Sequence, residues 1–225
     1  MSKLTVNLLL LAKMTYYIPE SKFYMGSWCD INQYMHYYQV PKPNTVQDYH
    51  HCGTSACLAG WASICKVGEP NEYHSWKMYA ESLVEYNASL TEYLFASLWN
   101  ANSSYLRKLG FQNELDFARF RLYTALLPLI QIQPRTYTTY GSMESLAKSC
   151  HLIHILARQP KLYFDVKEII NIFETTYAVH LTLSSAEIQL INDFNPTEYI
   201  TDFATTDRQL PQLTMAERSL DLPQE

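Results

Sequence analysis

No apolar run in these 225 residues approaches the ~20 that a membrane-spanning helix needs. Positive charge is scarce as well. Seventeen Lys and Arg stand against 22 Asp and Glu, for a formal charge of −5 and a pI near 5.8. Proteins that depend on phosphate contacts are usually basic, so general nucleic-acid binding is not expected. There is no internal repeat and no low-complexity tract. A secretory cleavage site is also lacking. Lys3 precedes an apolar run, Leu4 to Ala12, whose length suits a signal core. Asn7 interrupts that run, and Lys13-Met14-Thr15-Tyr16-Tyr17 offers no small-x-small pattern. The run therefore reads as a buried N-terminal helix. Five Cys, an odd number, exclude complete internal pairing: Cys29, Cys52, Cys57, Cys65 and Cys150. Reduced thiols in a cytoplasm are the expectation.

Apolar residues make up 48% of the chain, enough for a packed core. The aromatic balance is unusual, with 18 Tyr against 9 Phe and 4 Trp. Tyrosine combines apolar area with a hydroxyl and suits contact surfaces. It also fills ordinary half-buried positions.

The periodicity predicts a mainly α fold: an irregular helical domain with a long Tyr-rich loop and room for a small β element near 23–28. Helices are expected over 3–15, 54–66, 71–86, from a cap at Ser89 or Thr91 through Trp99, and over 113–127, then over about 142–158, 163–178 and 184–193. Asn113 opens the fifth of these, and Pro128 is expected to close it. Ser142 with Ser145, and Ser184 with Glu187, supply N-terminal caps. Residues 131–141 read as a polar, β-prone bridge. The division that follows is a helical domain at 1–130, a helical segment at 131–204 and a flexible tail at 205–225.

The densest group of special residues is Cys52-Gly53-Thr54-Ser55-Ala56-Cys57-Leu58-Ala59-Gly60-Trp61-Ala62. With Thr54 as cap, Cys57 falls at the third helical position, where amide donors and the helix dipole favour a thiolate. His51 lies upstream as a candidate base, so a cysteine-dependent hydrolase or transferase using Cys57 or Cys52 is one reading. Metal binding by His50, His51, Cys52 and Cys57 is another, with Cys150, His151 and His154 as a second half-site. The simplest reading is packing. Ala56, Gly60 and Ser63 would form a small-residue stripe for a crossing helix, and Cys57 would pack as a small apolar group. On balance no catalytic residue, cofactor or metal is assigned.

Phe23-x-Met25-x-x-Trp28 followed by Cys52 through Ala62 resembles the signature of a family of short phage and bacterial proteins, Cys-Gly-Thr-x-x-Cys-x-Ala-Gly-Trp-Ala. The likeness covers roughly residues 4–110 and reaches Leu90-Thr91-Glu92-Tyr93-Leu94-Phe95 more weakly. That family carries no assigned reaction. The resemblance implies phage or mobile-element origin, hence a host-directed accessory role such as anti-defence, in the host cytoplasm. A non-enzymatic protein that binds a protein partner is the expectation. Tyr34, Tyr37, Tyr38 and Tyr49 of the 30–50 loop are its candidate anchors. A virion or assembly component is the remaining alternative.

Overall fold

A computed structural model describes residues 3–20, 23, 57–73, 76–95, 103–137, 139–160 and 164–200. The architecture is mainly α, with eleven helices and no strand among the described residues. Of the 23–28 segment only Phe23 is described. It is buried, and its amide donates to the Glu20 carbonyl at 3.2 Å.

Helix α1, Lys3–Thr15, is buried on nearly every side. Its run of leucines has no polar face, so it can be stable only inside the molecule. Three polar groups on it find partners on other elements. Asn7 Nδ2 donates to the Leu83 carbonyl at 3.0 Å. The Leu4 amide donates to Glu85 Oε1 at 3.3 Å. Lys13 Nζ donates to the carbonyls of Ile191 and Asn192 at 2.8 and 2.7 Å. Pro19 follows the helix end, as the sequence suggests.

Helix α2, Leu58–Ile64, begins four residues later than the 54–66 expectation, whose first residues lie outside those described. Cys57 is its extended N-cap, with φ −75 and ψ 179, and not the third residue of a helix. All of α2 is buried, and it packs on α1 and on α3, Trp76–Leu83. The expected 71–86 helix is thus shorter, and a 3₁₀ turn at Pro70–Glu72 precedes it. Asn87 caps the next helix, α4, Ala88–Phe95, accepting from the Leu90 amide at 3.0 Å.

Helix α5, Ser103–Lys108, is followed by a turn at Leu109 and Gly110. At Gly110 φ is +84, and the Phe111 amide reaches back to the Leu106 carbonyl at 2.9 Å. This left-handed closing turn favours glycine. Asn113 then caps α6, Glu114–Thr124, accepting from the Asp116 amide at 2.9 Å. Helix α6 is the second pillar of the core. It packs on α1 and on α9, His151–Ala157.

Pro128 does not simply close this helix. It occupies the first turn of α7, Pro128–Ile132, where its missing N–H costs nothing. The bridge expected at 131–141 is helical through α7 and a 3₁₀ turn at Pro134–Tyr137. Helix α8, Tyr140–Ser149, starts from Thr139, whose hydroxyl lies 2.9 Å from Ser142 Oγ. The long 142–158 helix is broken at Cys150, with φ −106 and ψ 46, into α8 and α9. Helices α10, Val166–Tyr177, and α11, Ser185–Asp193, follow the expected pattern. The Ser184–Glu187 capping box is present, with the Ser184 amide donating to Glu187 Oε2 at 2.7 Å. Buried residues from Leu4 to Ile200 form a single cluster, so the parts before and after residue 130 share one core. The tail at 205–225 lies outside the described residues.

Candidate functional site

The motif places its second thiol in the core. Cys57 is 4% exposed at the start of α2, beside fully buried Trp61 in the same helix. Cys65 and Cys150 are buried too, and none of the three is in a disulfide. Burial pushes the Cys65 thiol up to about 12 and the Cys150 thiol up to about 11. Both stay protonated at neutral pH, and the thiol form is a poor nucleophile and a poor ligand. Cys52, His50 and His51 lie outside the described residues, as do Tyr34, Tyr37, Tyr38 and Tyr49.

The proposed second half-site does not assemble among the described residues. His151 is exposed, whereas His154 is half-buried. The His154 ring lies 4.6 Å from that of Phe111 and 5.9 Å from that of Phe120. Its Nε2 sits 3.0 Å from the Leu109 carbonyl, an acceptor, so Nε2 carries the proton. His151 and His154 therefore do not share one polar face. No group of three or more His, Cys, Asp or Glu is gathered as a metal site among the described residues.

Helix α6 holds what sequence reasoning missed. Asp116, Arg119 and Arg121 are all buried. Arg119 Nη2 lies 3.2 Å from Asp116 Oδ1, and its Nη1 donates to the Ala157 carbonyl at 2.6 Å. The guanidinium also stacks 4.4 Å above the Tyr16 ring. Arg119 thus neutralises Asp116, closes the C-terminal end of α9 and packs against the residues that follow α1. Asp116 Oδ2 accepts from the Gln112 amide at 3.2 Å. Burial still holds the Asp116 carboxyl above its ordinary range, with Arg119 pulling the other way.

A hydroxyl chain crosses the same layer. Tyr16 OH donates to the Leu156 carbonyl at 2.9 Å, so the Tyr123 hydroxyl, 3.2 Å away, must donate to Tyr16. Burial raises both phenols. These contacts fix α1, α6 and α9 against one another. The sequence signal was available: charges alternate with aromatics around α6, leaving no amphipathic stripe.

Two surface hollows flank this core. One, of about 250 Å³, lies at the N-terminus of α6 between Glu20, Phe23, Leu106 and Asn113. There Asn113 Nδ2 donates to Glu20 Oε2 at 3.2 Å. The other, of about 220 Å³, is bordered by Lys3, Glu69, Tyr73, Glu85 and Tyr86. The hydroxyls of Tyr73 and Tyr86 are 3.5 Å apart at its rim. Neither hollow contains a nucleophile paired with a base. None of the described helices is long and apolar enough to cross a membrane. No family model, no curated protein and no solved structure matches this chain.

Proposed function

We propose that this is a non-enzymatic binding protein, encoded by a phage or mobile element and directed at a host protein in the host cytoplasm. The burial of Cys57 among core side chains carries the reading. A thiol that must meet a substrate has to be reachable and ionisable. Cys57 instead is buried at the start of α2, out of reach of a substrate. The Tyr-rich segment 30–50 supplies the contact anchors, Tyr34, Tyr37, Tyr38 and Tyr49, since tyrosine gives large contact area at modest entropic cost.

Cross-linking in an expressing bacterial host, followed by identification of the captured partner, tests the reading. Cys57→Ala should retain the cross-linked partner. The triple change of Tyr34, Tyr37 and Tyr38 to Ala should lose it, because truncated anchors cost most of an interface's energy. Circular dichroism checks that both variants fold. A folded Cys57→Ala protein that has lost activity, beside an active triple variant, would make thiol chemistry the leading account. Recovery of the chain as a stoichiometric part of purified particles would make it a virion component instead.

A further inference from the structure

The hollow of about 220 Å³ bordered by Lys3, Glu69, Tyr73, Glu85 and Tyr86 is lined mainly by hydrogen-bond acceptors. Two uncharged polar side chains also line it. Asn7 Nδ2 donates to the Leu83 carbonyl at 3.0 Å, and Ser82 Oγ donates to the Tyr79 carbonyl at 2.7 Å. Those donors are thus engaged by carbonyls of α3. The carboxylates of Glu69 and Glu85 are exposed, and the exposed Tyr86 hydroxyl lies 3.5 Å from that of half-buried Tyr73. Glu85 Oε1 accepts from the Leu4 amide at 3.3 Å, which holds this carboxylate beside the start of α1. Lys3 is the single cation among the described residues of the lining.

The local field is negative. The Tyr86 phenol is pushed up first by its hydroxyl contact with Tyr73, and the charges of Glu72 and Glu81 add to the shift. Lys77 sits 3.9 Å from Glu81 and is largely exposed, so it offsets this field little. The backbone is unusual at the same place. Glu85 and Tyr86 are both left-handed, with φ 53 and 60. Glycine is the common residue in such a helix-ending turn, and a bulky side chain there is an outlier. Here two successive outliers carry side chains that line one hollow, and strain of this kind gathers at ligand sites. The size and the donor set narrow the ligand. No group of three or more His, Cys, Asp or Glu converges as a metal site among the described residues, so a bare metal ion does not fit. Pockets that enclose a whole drug-sized molecule start at about 300 Å³, so this one suits a single functional group.

We propose that this hollow binds a small organic cation with N–H donors, the guanidinium or primary ammonium group of a ligand. Glu69 and Glu85 supply the counter-charge through charge-assisted hydrogen bonds. Tyr73 and Tyr86 supply hydroxyl acceptors and aromatic contact, which attracts cations. The group belongs either to a free small molecule or to a basic side chain of a polypeptide. The site shares no residue with the 30–50 segment, so it stands or falls apart from the contact anchors named above.

The test uses the full chain with isotope-labelled tyrosine rings. The Tyr73 and Tyr86 ring cross-peaks are assigned by their loss in Tyr73→Phe and Tyr86→Gly. They are followed by NMR as methylguanidinium chloride, or the neutral-ended peptide acetyl-Gly-Arg-Gly-amide, replaces sodium chloride at constant ionic strength. Both cations should give saturable shifts. Tighter binding of the peptide assigns the group to a polypeptide side chain, and equal or weaker binding assigns it to a small molecule. Glu69→Gln should weaken affinity about two- to fivefold. Lys3→Gln should tighten it, a gain that damage to the fold cannot imitate. Tyr86→Gly, read at Tyr73, should weaken affinity about two- to fivefold. It should melt no lower than the parent, since glycine adopts φ 60 without strain. The proposal is overturned by shifts that saturate with neither cation, by sodium acetate producing the same shifts, or by unchanged affinity in both Glu69→Gln and Tyr86→Gly.

Discussion

Replacing Arg119 by Met should be among the most damaging single changes in this chain, and more damaging at neutral than at acid pH. The side chain is removed from three contacts at once: the Asp116 carboxylate at 3.2 Å, the Ala157 carbonyl at 2.6 Å and the face of Tyr16 at 4.4 Å. Methionine replaces much of the lost apolar volume, so the cavity term is small. What remains is a buried carboxylate without its counter-charge, and breaking one side of such a pair costs about 3–5 kcal/mol. For a chain of this size that is a fall of about 6–20 °C in melting temperature.

The pH dependence follows from the direction of the Asp116 shift. Its folded pKa lies above the unfolded value of 3.8, chiefly through burial. A raised carboxyl contributes stability below the unfolded pKa and loses it as pH rises through the folded one. Without Arg119 the folded pKa rises further, so the deficit should grow between pH 4 and pH 7. The double variant Asp116→Asn with Arg119→Met removes both charges and should recover most of the loss, since buried pairs replaced together are often near neutral. Thermal melts of parent, both single variants and the double at the two pH values complete the cycle. A single-variant loss under about 1 kcal/mol, or no recovery in the double, would refute the view that Arg119 acts chiefly by neutralising the buried Asp116 carboxylate.

Gly60→Leu should destabilise more than Cys57→Ala, because Gly60 is buried in a helix packed on α1 and α3, and overpacking costs ~1–3 kcal/mol; equal melting temperatures would remove the close-packing argument. Gly110→Ala should cost about 1–2 kcal/mol, since φ is +84 and the added Cβ would lie 3.1 Å from His154 Cε1. A melt unchanged from the parent would show that this corner relaxes freely. Burial holds His154 below its ordinary value of 6.5, with Arg158 and His151 acting in the same direction and the Leu109 carbonyl and Asp116 opposing. A lowered imidazole contributes stability above the unfolded pKa and loses it as pH falls through the folded one, so melting temperature should drop below pH 6.5 and the drop should be shallower in His154→Gln.

The sequence by itself determined the helical class, most helix positions and several ends. A leucine run with no polar face had to become a buried helix, and α1 is one. Asn113 and the Ser184–Glu187 pair mark helix starts by side-chain chemistry local to a few residues, and both caps are present. Local signals failed where distant neighbours decided. Cys150 breaks what periodicity reads as one helix, and the 131–141 bridge becomes helical turns between elements of a shared core. The motif thiol showed its spacing but not its surroundings; only the packing of α2 placed Cys57 at a cap and in the core. The same holds for Asp116, Arg119 and Arg121. Whether a charge on a helix faces water or a carboxylate, a carbonyl or an aromatic ring depends on residues far away in the chain, such as Gln159 and Tyr16 against Arg119. Desolvation and pairing are properties of that three-dimensional neighbourhood; the linear chain showed only that α6 lacks an amphipathic stripe, not which partner each of its charges meets.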